Sequence, residues 1–129
     1  LLAGLTVGDV TRRDYLALPP EATLAAAAER LHQSLPQDLL VVAEGRVVGI
    51  LGRARLAAAL RQNRDDDPVE RHADLHFAEL QADWPLEDFA ADSRSTGQTL
   101  FAVYSFGRLV GVLDPAHVED VARLLRRRA

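Results

Sequence analysis

Residues Leu39–Leu60 read LLVVAEGRVVGILGRARLAAAL, and residues Phe101–Leu124 read FAVYSFGRLVGVLDPAHVEDVARL. The two stretches are one pattern written twice. Gly45-Arg46-Val47-Val48-Gly49 answers Gly107-Arg108-Leu109-Val110-Gly111 at an offset of 62 residues, with no gap. The offset holds outward as well: Val41 matches Val103, Leu51 matches Leu113, Leu56 matches Val118, and upstream Leu24 matches Leu86. An internal repeat of this kind sets the architecture before any single residue does. A unit of 62 residues is marginal alone, because so short a chain buries too little apolar surface. Two such units are expected to pack as one pseudo-symmetric module.

Composition limits the remaining choices. The chain has 129 residues, 48% hydrophobic, and carries a net charge of −4. That charge argues against a general nucleic-acid binder, which needs a basic footprint. No apolar run approaches the ~20 residues of a membrane span, so no direct membrane insertion is expected. There is no cysteine, which removes disulfides, thiolate metal ligands and cysteine nucleophiles together. There is no signal-peptide pattern at Leu1-Leu2-Ala3 and no methionine, so the chain reads as a piece of something longer.

Each repeat carries the same order of elements. A short strand over Tyr15–Leu18 ends at Pro19-Pro20, because proline cannot donate to a ladder. Thr23 is the expected N-cap of a helix with its apolar stripe at Leu24, Ala27, Ala28, Leu31 and Leu35, closed by Pro36. Leu39–Ala43 and Val47–Leu51 form a hairpin around Glu44-Gly45. Gly52 breaks the return strand, and Arg53–Arg61 is helical. Asn63–Pro68, NRDDDP, is polar, acidic and proline-ended, so it reads as the linker. The expected division is therefore 1–62, a linker at 63–68, and 69–129. In the second half Phe77–Leu80 stands for the first strand, and Pro85 opens a helix with Leu86, Phe89 and Ala90 inward. Thr99–Tyr104 and Arg108–Leu113 make the second hairpin. Asp114-Pro115 starts the last helix, with Val118, Val121, Ala122 and Leu125 on its apolar face and Arg126-Arg127-Arg128 at its negative end. The fold class is α/β (α+β): two β-α-β-β-α repeats, each a small mixed sheet with helices packed on it.

This order, with G-x-h-h-G-h-h at each hairpin return, resembles the CBS domain, whose tandem pair (a Bateman module) is the usual working unit. The opening GLTVGDV, Arg13-Asp14 and Leu18-Pro19-Pro20 are similar to the family's first motif. The lead-in LLAGLTVGDV also resembles the segment before the CBS pairs of bacterial site-2-type membrane zinc metalloproteases. With no HExxH in this chain, that likeness implies a soluble accessory part. It would be cytoplasmic, tethered to the cytoplasmic face of the membrane through the rest of the protein. The CBS resemblance implies a cleft between the repeats that often holds an adenosine nucleotide, and a homodimer or an attached effector domain as partner.

The family's ligand motif, G-h-h-T/S-x-x-D, uses its hydroxyl and carboxylate to hold the ligand. Here those positions are Gly52 and Arg55 in the first repeat, and Asp114 and His117 in the second. Both polar pairs are replaced. Arginine has only donors and cannot accept from ribose hydroxyls. Arg53 and Arg55, with Arg12 and Arg13 near them, could instead take an anion, since the guanidinium fork suits phosphate; equally, they are solvated surface charges. The tentative ligand residues are therefore Gly52, Arg53, Arg55, Asp114 and His117. Asp114 reads most simply as a helix cap and His117 as an ordinary first-turn residue. His72 and His76 lack a third metal ligand, and Ser34, Ser93, Ser95 and Ser105 lie in no nucleophile motif, so no enzyme is expected. Trp84 beside Pro85 reads as a packing residue at a helix start or, if exposed, as a dimer contact. Two functions remain: a regulatory and assembly module with degenerate sites, or a sensor of an adenosine nucleotide or other anion that controls an attached domain.

Overall fold

The computed structural model describes residues 4–32, 38–92 and 97–128, giving backbone alone for 90–92, 122 and 125–128. Leu35, Pro36, Ser34, Ser93 and Ser95 lie outside the described residues, as do the side chains of Ala90, Ala122, Leu125 and Arg126–Arg128.

The repeated pattern builds two sheets of the same connectivity. In the first, β1 (Ala17–Leu18) runs parallel to β2 (Leu39–Ala43), and β2 pairs antiparallel with β3 (Arg46–Leu51). In the second, β4 (Leu80–Gln81), β5 (Phe101–Ser105) and β6 (Arg108–Leu113) repeat that order. Helices α1 (Leu24–His32) and α2 (Arg53–Arg61) accompany the first sheet, and α3 (Leu86–Asp92) and α4 (Pro115–Arg128) the second. This is the expected mixed α+β class. Even the irregularities agree: each hairpin shifts register once, between Val41 and Val42 and between Val103 and Tyr104, 62 residues apart.

The two glycines of each hairpin motif have different causes. Gly45 and Gly107 sit in the turns at φ 77° and 75°, following Glu44 and Phe106 at 53° and 50°. Two consecutive positive φ values are the signature of a two-residue turn that matches strand twist. Gly49 and Gly111 are needed for space. A Cβ on Gly49 would stand 2.9 Å from Cβ of Ala73, and one on Gly111 would collide with the carbonyl oxygen of Arg12 and with Thr11.

The segments that press on those glycines reveal an exchange. The chain forms two compact units, Tyr15–Phe77 (the middle unit) and Leu1–Asp14 with Ala78–Ala129 (the split unit). This division differs from the linear one at 1–62, 63–68 and 69–129. The lead-in of each repeat is built into the unit of the other repeat. In the split unit, Val7–Val10 forms a single 3-10 turn, and the Val7 and Gly8 amides donate to Trp84 and Ala82 carbonyls at 2.9 and 2.8 Å. In the middle unit, the 3-10 turn Val69–Arg71 repeats this: Val69 and Glu70 amides donate to Ala22 and Pro20 at 2.7 and 3.2 Å. The same offset relates the Arg12–Val112 bridge to the Asp74–Ile50 bridge. Val7 and Val69 are both wholly buried. The exchange is the solution that satisfies these amides and buries these valines together.

The acidic stretch expected as a linker takes part in the middle unit. Carbonyls of Asp67 and Asp65 accept the Leu24 and Ala25 amides at 3.0 Å each, and Thr23 Oγ1 caps Ala26 at 3.1 Å. These bonds satisfy the first amides of α1, which have no partner within the helix. The β4 strand starts later than the sequence suggested, at Leu80 rather than Phe77. The Gln98 side chain explains the delay. Its amide takes both backbone groups of Ala78, at 2.9 Å each, where a strand partner would otherwise sit.

The cores differ in chemistry. The middle unit packs aliphatic side chains, with Leu24, Leu39, Leu51 and Val69 wholly buried. The split unit adds aromatics: Phe89 and Phe101 meet edge to face, with ring centres 5.0 Å apart. At matching positions Phe89 and Phe101 replace Ala27 and Leu39.

Candidate ligand site

The strand-to-helix turns carry the expected ligand positions, and each turn is held by an internal carboxylate. In the middle unit Gly52 precedes α2 in extended backbone, φ −76° and ψ 148°, and its carbonyl accepts the Leu56 amide at 3.0 Å. Gly52 has no side chain to cap the helix. Asp38 supplies the cap from the residue just before β2, its Oδ1 accepting the Arg53 amide at 3.2 Å. Arg55 turns to the exchanged segment, where its Nη1 donates to the His72 carbonyl at 3.3 Å. Arg53 is exposed.

In the split unit Asp114 caps α4 itself. Its Oδ1 accepts the His117 amide at 2.8 Å, and its carbonyl accepts the Val118 amide at 3.2 Å. The other oxygen, Oδ2, meets Arg12 Nη2 at 3.2 Å. Arg12 reaches it because its backbone is paired on both sides with Val112 at 2.8 Å. His117 is half-buried in the first turn of α4.

Five tentative residues thus fall at two turns: Gly52, Arg53 and Arg55 at the start of α2, and Asp114 and His117 at the start of α4. Arg12 pairs with Asp114 within the split unit. Asp38 was missed, although the hairpin register contains the signal: Leu39 pairs with Leu51, which sets Asp38 beside Gly52.

A second polar cluster lies where the acidic stretch meets the exchanged turn. Asp67 Oδ2 stands 2.8 Å from His72 Nε2, and its Oδ1 is 3.2 Å from Arg71 Nη1. The hydrogen bond from His72, aided by the charges of Arg71 and Arg64, holds the Asp67 carboxyl below its ordinary range, against a smaller upward push from burial. His76 is elsewhere engaged, its amide on Asp74 Oδ1 at 2.9 Å. Among the described residues no three metal-ligating side chains cluster, and no helix is long and apolar enough to cross a membrane.

Comparison with known proteins agrees with this geometry. Residues 7–62 match the CBS domain family. The fold is shared over nearly the whole chain with solved CBS-pair proteins. The CBS-pair protein CBSX2 from Arabidopsis thaliana superposes with a TM-score of 0.85 at 22% identity, covering 98% of this chain and all (100%) of that one. Its complex with AMP gives 0.82 at 22% identity, covering 95% and 99%. The CBS domain pair of protein MJ0100, in complex with 5′-methylthioadenosine and S-adenosyl-L-methionine, gives 0.75 at 23% identity, covering 96% and 98%. No curated protein matches the sequence. The family match covers the first repeat, and the fold is the one shared with these solved CBS pairs.

Proposed function

We propose that this CBS pair is a regulatory and assembly module whose ligand positions have been given over to internal structure. It acts by pairing with a second copy or with an effector domain of its own full-length protein. One observation carries this reading. Asp114 is the sole carboxylate at a motif position, and both its oxygens are engaged, one on the His117 amide and one on Arg12. Gly52 and Arg55 offer no side-chain acceptor for a ribose. Asp38, beside the Arg53 amide, would repel a phosphate brought to that turn.

The second reading is a sensor of an adenosine nucleotide or other anion that governs an attached effector, such as a membrane protease at the cytoplasmic face. Its support is the AMP, 5′-methylthioadenosine and S-adenosyl-L-methionine of the complexes with the same fold. The lead-in LLAGLTVGDV is the motive for the protease. A thermal-shift panel of AMP, ADP, ATP and S-adenosylmethionine, followed by calorimetry, separates the two. A ligand that binds only the native state raises its melting point. No shift at millimolar ligand is expected. Low-micromolar binding that survives Arg55→Ala would transfer the conclusion to the sensor, whereas a salt-sensitive anion lost with Arg55→Ala would locate it at α2.

A further inference from the structure

We infer that one end of the second sheet, carrying Phe106 and Trp84, is the surface on which two copies of this chain pair. The inference rests on the assembly reading and names the surface. Phe106 occupies the tip of the β5–β6 hairpin at φ 50° and is fully exposed, at 102%. A bulky residue in left-handed backbone is a true outlier, and in solvent this one gains no burial in return. Trp84 is 47% exposed. It follows β4, and β4 runs parallel to β5 with Gln81 opposite Tyr104, so Trp84 and Phe106 emerge at the same end of the sheet.

The repeat supplies an internal control. In the middle unit the same turn is built with Glu44 at φ 53°, and Ala22 stands where Trp84 does. The backbone therefore demands neither aromatic. A Trp and a Phe exposed together without a folding reason fit a contact surface, where aromatics are enriched.

Charge selects the occupant. Exposed Arg108 lies beside the Phe106 tip, and exposed Asp83 and Glu87 flank Trp84. One copy thus presents an aromatic-basic finger and an aromatic-acidic shoulder at one sheet end. A second copy turned by a twofold axis presents the complement of both. That is the condition for an isologous contact, in which each patch meets its counterpart twice.

The test is sedimentation velocity on the purified chain over a concentration series. The wild type is expected to dimerise. Phe106→Glu and Trp84→Ala install the residues that the matching positions already tolerate, so both variants keep their melting temperature. Each is expected to weaken dimerisation by about tenfold or more, as interface aromatics do. Arg108→Glu is expected to weaken it as well, and Glu87→Arg in the same chain to restore part of the loss. A wild type that stays monomeric to high micromolar concentration overturns the inference together with self-assembly. A dimer indifferent to both aromatic substitutions overturns this surface alone and leaves the assembly reading standing.

Discussion

The two strand-to-helix turns, Leu51-Gly52-Arg53 and Leu113-Asp114-Pro115, share a carbonyl bond to the amide four residues on and differ in who caps the helix. In the split unit a single residue suffices, since Asp114 caps α4 with its side chain and anchors Arg12 of the exchanged lead-in. In the middle unit the roles are divided. Gly52 shapes the turn, Asp38 brings the carboxylate, and Arg55 reaches the exchanged segment at His72. Both turns leave an amide in need of an acceptor and a neighbouring segment in need of an anchor. The fold requires that both needs be met, and it does not specify from which residue. Ligand-motif positions can therefore change identity without loss of the fold.

The largest expected effects test whether the units are equivalent in their cores. Leu51 and Leu113 are both wholly buried at matching positions. Leu51→Asp and Leu113→Asp are each expected to cost ~4 kcal/mol or more, since each would bury an unpaired charge. Chemical denaturation followed by circular dichroism checks this. A variant with an unchanged midpoint would break the equivalence.

The motif glycines should then separate the units. At Gly111 an added methyl meets the backbone of Arg12, whereas at Gly49 it meets chiefly the Ala73 methyl. Gly111→Ala is expected to cost ~3 kcal/mol and Gly49→Ala ~1 kcal/mol, within the range for overpacking. Ala73→Gly should recover the second loss. Thr11→Ala should not recover the first, because the obstacle there includes a carbonyl oxygen. Thermal melts of the single and double variants decide it.

The caps themselves should differ less. Asp114→Ala is expected to lose ~1–2 kcal/mol, a full N-cap with some contribution from the ion pair. Asp38→Ala should lose ~0.5 kcal/mol, because its bond to Arg53 is longer and lies at an exposed site. Equal losses would mean that the divided cap works as well as the single one.

The smallest effect is a pH dependence confined to the middle unit. Asp67 titrates lower in the folded chain than its ordinary 3.8, because of His72, Arg71 and Arg64. A lowered carboxyl contributes stability that is complete above the unfolded value and lost as pH falls through the folded one. The stability gap between wild type and Asp67→Asn is therefore expected to be constant at neutral pH and to close below about pH 3.8. The matching residue in the split unit is Leu5, which has no such titration. Hydrogen exchange across an acid series should show the change around α1 and Val69–Arg71 and none around Val7–Val10.

Much of this was legible in the sequence because it is local. The α2 helix begins and ends at Arg53 and Arg61, the bounds expected after the strand break at Gly52. The hairpins follow from a two-residue turn between apolar runs. Thr23 and Asp114 cap the helices that their side chains are suited to cap. Trp84 beside a helix-opening proline suggests a packing residue first, because Trp in that setting usually is one. The structure leaves it half exposed, and its carbonyl accepts the amide of the buried Val7.

By itself, then, the sequence determined the repeat, through its constant offset, and also the element order, the turns and the Thr23 and Asp114 caps, which depend on residues a few positions apart. Only the tertiary structure decided where each lead-in goes. Val7–Val10 and Val69–Arg71 carry the same local signal whichever repeat they join. Their destination depends on distant partners: the carbonyls of Ala82 and Trp84 in one unit and of Pro20 and Ala22 in the other. Periodicity says nothing about a hydrogen bond to a carbonyl so far along the chain. That exchange places Arg12 on Asp114. The chemistry of both turns therefore became readable only once the chain was seen folded.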